Sequence, residues 1–537
     1  MAASSDTAGA GAARVGYVFS RPASPLLRLL LALLGGALLA TAFAPLELWP
    51  LAILSPALLM WLWQDASPGE AARLGFWFNF ATFAAGTYWL YISIHGFGGA
   101  PIWLALLLIL GLVGVMGLYH AALGYAAARW LPQRGAVRWL LGLPAAWLLI
   151  EWWRGWFLSG FSWLSLGYSQ SDTWLAGFAP LAGVYGISAL LLLGAGALTA
   201  LALGAGRVRF LAAAVLLLPW AAGAALYGRS WTQAAGAAVP VAVVQGAIPQ
   251  DEKWLESNQA TTLARYKSLT ESVLAAQPVR LIVWPESAPA DVANDIVPYI
   301  TNLYRVARAH RAALVIGVLR AQSVPGGAIH YFNSVLALGD KVSWYDKHHL
   351  VPFAEFFPVP QFVRSWMRLM SLPYSDFTPG PKVQPPLPAA HLELGTTVCY
   401  EDAYGSNMLE VLPRADALVN VTNDAWFGHS SARYQHLQIA RMRALEDGRY
   451  MVRAANDGIS AVIGPHGEIR ARAPEFTPVA LVSQIVPYTG LTPYARVGNY
   501  LVVSLATLAL AYGLWVRNDR GRHTGGEPVT GSGSRRT

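Results

Sequence analysis

The feature that most constrains this chain is a series of long apolar runs. They lie near Leu26–Ala44, Leu48–Trp63, Leu74–Ile94, Pro101–Ala128, Trp139–Trp153, Leu175–Leu203, Phe210–Tyr227 and Tyr500–Val516. A helix needs roughly 17–25 apolar residues to cross a bilayer. Most of these runs meet that length, and the second and fifth are the short ones. Lipid offers no partner to backbone N–H and C=O groups, so spans of this kind must be helices. The first run closes on Ala42-Phe43-Ala44, which resembles a signal cleavage site. Its apolar core is long for a signal and further spans follow, so it reads as retained. The pattern predicts a polytopic α-helical membrane bundle of about eight spans, seven within residues 25–232 and the last at 498–516.

Charge gives this bundle an orientation. Hydrophobic residues make up 55% of the 537 and charged residues only 13%, against about a quarter charged in soluble domains. The net charge of +8 comes largely from short arginine-bearing segments beside the apolar runs, which argues against a nucleic-acid groove. Arg14, Arg21 and Arg28 flank the first run, and Arg73, then Arg129, Arg134 and Arg138, then Arg207 and Arg209 fall in alternate connections. Arg517, Arg520 and Arg522 follow the last run. By the positive-inside rule that side is cytoplasmic. Both termini (1–24 and 517–537) are then cytoplasmic, and the large segment between the seventh and eighth runs faces outward. In a Gram-negative cell that places it in the periplasm, on the inner membrane. The Gly- and Ser-rich tail after Arg522 reads as disordered.

The outward segment, 238–488, has the composition of a soluble domain. Val239–Val244, Leu281–Trp284, Ala313–Val318, Ser334–Leu338, Leu392–Cys399, Ala417–Thr422 and Ser460–Ile463 are short β runs. Gln259–Ala275, Ile296–Ala309 and Arg433–Leu445 have helical spacing. Short apolar strands alternating with helices predict an α/β fold. Phe356–Pro388 is rich in proline and large apolar groups and reads as a lid or binding loop, or as a loop folded onto the core.

One cysteine excludes an intrachain disulfide and any multi-cysteine metal site. No His-Glu-x-x-His, Walker loop or Gly-x-Ser-x-Gly elbow occurs. Three polar residues stand near the ends of β runs, where open α/β sheets place their sites. Glu286 follows Leu-Ile-Val-Trp-Pro, Lys347 lies in Tyr-Asp-Lys-His-His-Leu-Val-Pro-Phe, and Cys399 lies in Thr-Thr-Val-Cys-Tyr-Glu-Asp. A carboxylate can take a thiol's proton, and an ammonium can stabilise the thiolate or an oxyanion. Taken singly, each residue also fits a plainer role: an inert core thiol, a turn carboxylate, a surface ion pair. Within the bundle, Glu151 and Arg154 are three residues apart and can pair on one helix face or meet a lipid head group.

The order Trp-Pro-Glu-Ser, Asp-Lys-His-His-Leu-Val-Pro-Phe-Ala-Glu-Phe, Val-Cys-Tyr-Glu-Asp resembles the Glu, Lys and Cys motifs of the nitrilase, or carbon–nitrogen hydrolase, superfamily. Val243–Gln250, the Asn-Asp-Ala-Trp-Phe-Gly of 423–428, Glu151-Trp-Trp-Arg-Gly-Trp and Gly167-Tyr-Ser-Gln narrow the resemblance to the apolipoprotein N-acyltransferases. The resemblance implies an inserted αββα sandwich and a Glu286–Lys347–Cys399 triad of base, oxyanion-stabilising lysine and nucleophile. It implies supporting roles for Glu355, Tyr400, Glu401 and Asn333. Trp254 and Trp426 match tryptophans tied to substrate access, with core packing as the alternative for both.

The implied reaction is ping-pong. Cys399 takes the sn-1 acyl chain of a phospholipid as a thioester, then gives it to the N-terminal amine of a diacylglyceryl-cysteine apolipoprotein. The expected partners are those two substrates and the bilayer, with no metal, organic cofactor or nucleic acid, and a monomer is favoured. Two alternatives are a membrane-anchored amidase of the same superfamily and a non-enzymatic transporter or receptor with an outward α/β module. The latter predicts that Glu286, Lys347 and Cys399 lie apart.

Overall fold

The computed structural model of the chain describes residues 21–356 and 377–524, with side chains as far as Asp519. Most of the apolar Phe356–Pro388 stretch and the Gly/Ser-rich tail fall outside the described residues. Each apolar run contains a helix: α1 (Pro25–Ala40), α2 (Leu51–Leu62), α3 (Pro68–Gly86), α4 (Ile102–Trp130), α5 (Leu143–Arg154), α6 (Ala179–Leu203), α7 (Arg207–Leu226) and a C-terminal helix, Tyr500–Thr524. Among the described residues, four helical segments are long and apolar enough to cross a membrane: Ile102–Trp130, Trp174–Leu203, Arg207–Leu226 and Tyr500–Asp519. The others fall short for visible reasons. α1 and α2 have only 16 and 12 residues, and Pro56 interrupts α2. α3 opens on a polar turn, capped by Ser67 and carrying Glu70 and Arg73.

Small residues let these helices touch. A Cβ added at Gly36 would lie 1.9 Å from the Phe78 carbonyl oxygen on α3. One added at Gly196 on α6 would lie 1.9 Å from that of Trp139. Backbones this close gain packing that lipid cannot match. Glu151 and Arg154 do not form a direct ion pair; both hold one loop. Glu151 accepts from Ser188 Oγ at 2.6 Å and Leu166 N at 3.3 Å. Arg154 donates to the carbonyls of Phe161 and Trp163, the latter at 2.8 Å. Buried groups on a helix end thus satisfy the backbone of an irregular segment.

The chain enters the second body through β1 (Gln233–Ala234). Six strands follow: β2 (Val239–Gln245), β3 (Leu281–Trp284), β4 (Ala313–Ser323), β5 (Ile329–Leu338), β6 (Val342–Asp346) and β7 (Leu387–Ala389). Next come β8 (Leu392–Val398), β9 (Ala417–Thr422), β10 (Met451–Ala455), β11 (Ala461–Ile463), β12 (Ile469–Arg472), β13 (Val479–Ile485) and β14 (Tyr488–Thr489). One sheet has the order β13-β2-β3-β4-β5-β6 and the other β12-β11-β10-β9-β8-β7. In each, three central strands run parallel and the outer ones antiparallel. β1 pairs with β14, tying the entry of this body to its exit.

The sheets face each other through Val241, Val283 and Val315 on one side and Leu394, Val419 and Val452 on the other, all fully buried. Helices α8 (Glu256–Ala276) and α9 (Val297–Ala309) cover the outer face of the first sheet. The helix Ala432–Asp447 covers the second. The result is four layers, αββα, as the motifs imply.

That last helix has a second task. Its Ala432, Ile439, Met442 and Leu445 join the hydrophobic core of the bundle. Gln435 Oε1 accepts from the indole nitrogens of Trp163 at 2.7 Å and Trp89 at 3.2 Å. Glu446 accepts from Val184 N, which is freed because α6 breaks at Gly183, φ 65°. The open end of a bundle helix is therefore capped from the α/β domain.

Gly196→Ala is expected to destabilise the protein by about 1–3 kcal/mol through overpacking. Thermal unfolding in detergent would read this as a lowered midpoint. Gly111→Ala, where an added Cβ meets nothing within 4 Å, should leave the midpoint unchanged or slightly raised.

Candidate active site

The candidate residues converge at the carboxyl ends of the strands. Glu286 follows β3, Lys347 follows β6, Cys399 follows β8 and Asn423 follows β9. The first two come from one sheet and the last two from the other, so the site straddles the sandwich. Pro285 ends β3 because it has no N–H for the ladder. A Cβ at Gly317 would lie 2.3 Å from the Pro285 carbonyl oxygen, so glycine there makes room for the turn that carries Glu286.

Lys347 is 1% exposed. Its Nζ lies 2.8 Å from Glu355 Oε2 and 3.6 Å from Glu286 Oε1. The two carboxylates are joined by Asn333, whose Nδ2 lies 2.7 Å from Glu286 Oε1 and 2.7 Å from Glu355 Oε1. Backbone amides take the remaining lone pairs. Asn423 N donates to Glu286 Oε2 at 2.9 Å and Val351 N to Glu355 Oε2 at 2.8 Å. Burial pulls the ammonium's pKa down, but Glu355, Glu286 and the Cys399 sulfur outweigh it and leave Lys347 above an ordinary lysine. It stays charged.

Cys399 stands where β8 turns into a short 3₁₀ segment, with φ 55°. A non-glycine residue in this region is strained by about 1–2 kcal/mol, and such strain gathers at functional sites. Burial, and then the Glu286 carboxylate, push the thiol pKa up, while Lys347 and a hydrogen bond from Thr422 pull it back only partly. The thiol therefore rests protonated. Glu286 is close enough to Cys399 to act on its charge.

Glu401 is fully buried and acts as a brace. Its Oε1 accepts from His348 N at 2.9 Å and His349 N at 3.0 Å. Its Oε2 accepts from Val398 N at 2.8 Å and the Tyr345 hydroxyl at 3.0 Å. One side chain thus locks the lysine loop to the end of the cysteine strand. Tyr400 reaches towards the bundle: its hydroxyl lies 2.8 Å from that of Tyr404, which lies 2.9 Å from the Ser159 carbonyl oxygen.

Trp254 and Trp426 are 49% and 37% exposed, which removes the core-packing alternative for both. The Trp426 carbonyl accepts from Ser93 Oγ at 2.7 Å, and Phe427 packs on Trp89 with ring centroids 4.8 Å apart. Residues 424–428 are thereby docked on the bundle.

Two contributors escape the sequence reading. Lys253, 1% exposed, donates to the Glu286 carbonyl at 3.0 Å. Asn423, noted only as part of a motif, holds the Glu286 carboxylate through its backbone. Position next to Trp254 and at the end of β9 is the signal that could have found them.

An αββα domain carrying these groups on an apolar helical bundle defines the class: a carbon–nitrogen hydrolase domain built into a membrane protein. The carbon-nitrogen hydrolase family matches residues 240–494, and the apolipoprotein N-acyltransferase N-terminal domain matches 35–197. The chain is 41% identical to the apolipoprotein N-acyltransferase of Azotobacter vinelandii over 488 residues, 90% of this chain and 94% of that one. It is 40% identical to the Pseudomonas putida protein of that name, covering 90% and 96%. For Methylococcus capsulatus the figures are 40% identity, 89% and 94%. The chain belongs to the apolipoprotein N-acyltransferase family.

Alkylation of Cys399 by iodoacetamide should rise with pH through the alkaline range, without a plateau near neutrality, because the thiol pKa is raised. Lys347→Met removes a charge that favours the thiolate, so its profile should shift further towards high pH. Its acyl transfer should fall about 10²–10³-fold if the ammonium serves as one oxyanion donor. Stopped-flow alkylation and an acylation assay would check both.

Proposed function

We propose that this protein N-acylates lipoproteins through a thioester on Cys399. What supports the reading is the meeting of Glu286, Lys347 and Cys399 at strand ends in a domain seated on an apolar bundle. Glu286 takes the thiol proton as sulfur attacks the sn-1 ester carbonyl of a phospholipid. Lys347 and the Tyr400 N–H hold the oxyanion. The ester C–O bond breaks, Glu286 returns the proton to the leaving alkoxide, and a lysophospholipid departs. The α-amine of a diacylglyceryl-cysteine terminus then attacks the thioester. Its proton passes through Glu286 to the departing sulfur, which leaves an amide and restores the thiol.

Glu355, Asn333, Glu401 and Tyr400 support this chemistry by holding the reacting groups, and Trp254 and Trp426 line the way in. In this reading residues 238–488 form a periplasmic catalytic domain, the bundle spans the inner membrane about eight times, and both termini are cytoplasmic. Both substrates are lipids, which suits a site that never leaves the bilayer surface.

Purified protein incubated with phospholipid carrying a labelled sn-1 chain should gain one acyl mass on Cys399. Neutral hydroxylamine should remove that adduct, and Cys399→Ser should form no hydroxylamine-labile adduct. A covalent acyl adduct on Cys399→Ser that resists neutral hydroxylamine would overturn the thioester mechanism.

A further inference from the structure

Directly behind the nucleophile lies a cluster of charges that the reaction as described does not use. Asp402, Asp424, His436 and Arg453 come from four separate elements, and each is at most 1% exposed. His436 Nδ1 is 2.9 Å from Asp424 Oδ1, and its Nε2 is 3.1 Å from Asp402 Oδ1. Arg453 takes the other oxygens, at 2.8 Å from Asp424 Oδ2 and 3.5 Å from Asp402 Oδ2. A neutral imidazole would turn a bare lone pair towards one carboxylate, so facing both requires the doubly protonated ring. Burial and Arg453 lower the His436 pKa, but the two aspartates outweigh them and leave it at about 9. Two cations and two anions then cancel, which is what makes so deep a cluster tolerable.

The cluster converges on one atom, the carbonyl oxygen of Cys399. Asn420 Nδ2 donates to it at 2.9 Å, and His436 Nε2 lies 3.3 Å away. Arg453 fixes Asn420 in turn, donating to its Oδ1 at 2.6 Å. The peptide that owns this carbonyl also owns the Tyr400 N–H. A trans peptide is planar and its C=O and N–H point in opposite directions. Clamping the oxygen inwards therefore aims the N–H outwards. Donors on the carbonyl also polarise the amide and strengthen its N–H as a donor.

We propose that His436 and Asn420 are positioning residues that aim and polarise the Tyr400 N–H for the oxyanion of acyl transfer, with Asp402, Asp424 and Arg453 holding them in place. This rests on the reading of Cys399 as an acyl-accepting nucleophile. It separates two reactions of the same thiol. Acylation by an ester builds negative charge on oxygen, whereas alkylation by iodoacetamide displaces iodide and builds none there.

The experiment compares both rates on the full-length protein in detergent for wild type, His436→Gln and Asn420→Ser, with thermal unfolding as a check on folding. Each folded variant should acylate from phospholipid about 10–100-fold more slowly, up to the loss of one oxyanion donor. Its phospholipid KM and alkylation rate should stay within about threefold of wild type. Acylation at the wild-type rate would overturn the proposal, as would an equal fall in acylation and alkylation. Failure of both variants to fold would also overturn it, because the cluster would then serve structure alone. Failure of the underlying reading looks different: wild-type protein itself would gain no acyl mass on Cys399.

Discussion

Taking an ammonium out of water costs several kcal/mol unless charge and hydrogen bonds replace the solvent. Lys347 meets that demand with Glu286 and Glu355. Two carboxylates so near one another then need donors of their own. Asn333 sits between them, and the backbones of Asn423 and Val351 close the remaining positions. Asn333 lies within β5, while the other two donors follow β9 and sit in the loop after β6. Satisfying one buried lysine therefore fixes how the middle of β5 meets the ends of β3, β6 and β9, and with them the relative setting of the two sheets. Cys399 enters a field already made. Its thiol is kept protonated by burial first and by the neighbouring Glu286 carboxylate second.

The membrane bundle contributes to this order. Polar contacts run from its loops into the domain through Ser162 and Tyr168 to the Ala403 carbonyl, through Ser159 to Tyr404, and through Ser93 to the Trp426 carbonyl. Ala403, Tyr404 and Trp426 all lie within a few residues of Cys399 or Asn423. The loop that makes several of these contacts is itself held by Glu151 and Arg154. The charges in α5 thus act on the site through backbone, not by meeting one another.

Much of the site was legible because its residues sit in short motifs at the ends of apolar strands. Glu286 and Cys399 each follow a run whose burial can be read from Val, Ile and Leu, whereas Lys347 follows the half-exposed Val-Ser-Trp-Tyr-Asp of β6 and was legible from its motif alone. What stayed hidden was polar and dispersed. Asp402, Asn420, Asp424, His436 and Arg453 span fifty-odd positions, and only the packing of three strand ends against one helix unites them. β10 went unread because Arg453 interrupts its apolar run, yet that arginine is fully buried. The helix Ala432–Asp447 was legible as a helix, but its burial was not. Arginine, glutamine, histidine and glutamate on every face ordinarily mark solvent exposure, whereas here they pair within the helix, with loops of the domain, or with the bundle. Each apolar run holds a helix, but an apolar run does not reveal where a turn cuts its helix short, so among the described residues only four have the length and hydropathy of a full span.

That helix has a consequence for what this enzyme can become. In an αββα sandwich the outer helices normally end at water, as α8 and α9 do here. On the opposite side the outer layer is also an inner layer of the bundle, and its apolar residues are shared between two cores. No cut in the chain separates a water-soluble catalyst from its anchor without baring Ala432, Ile439, Met442 and Leu445 and stranding Gln435 and Glu446 without their indole and amide donors. A free-standing version would need that face redesigned residue by residue. The bundle is therefore not merely where the domain is moored; it is the wall against which one of the domain's four layers packs.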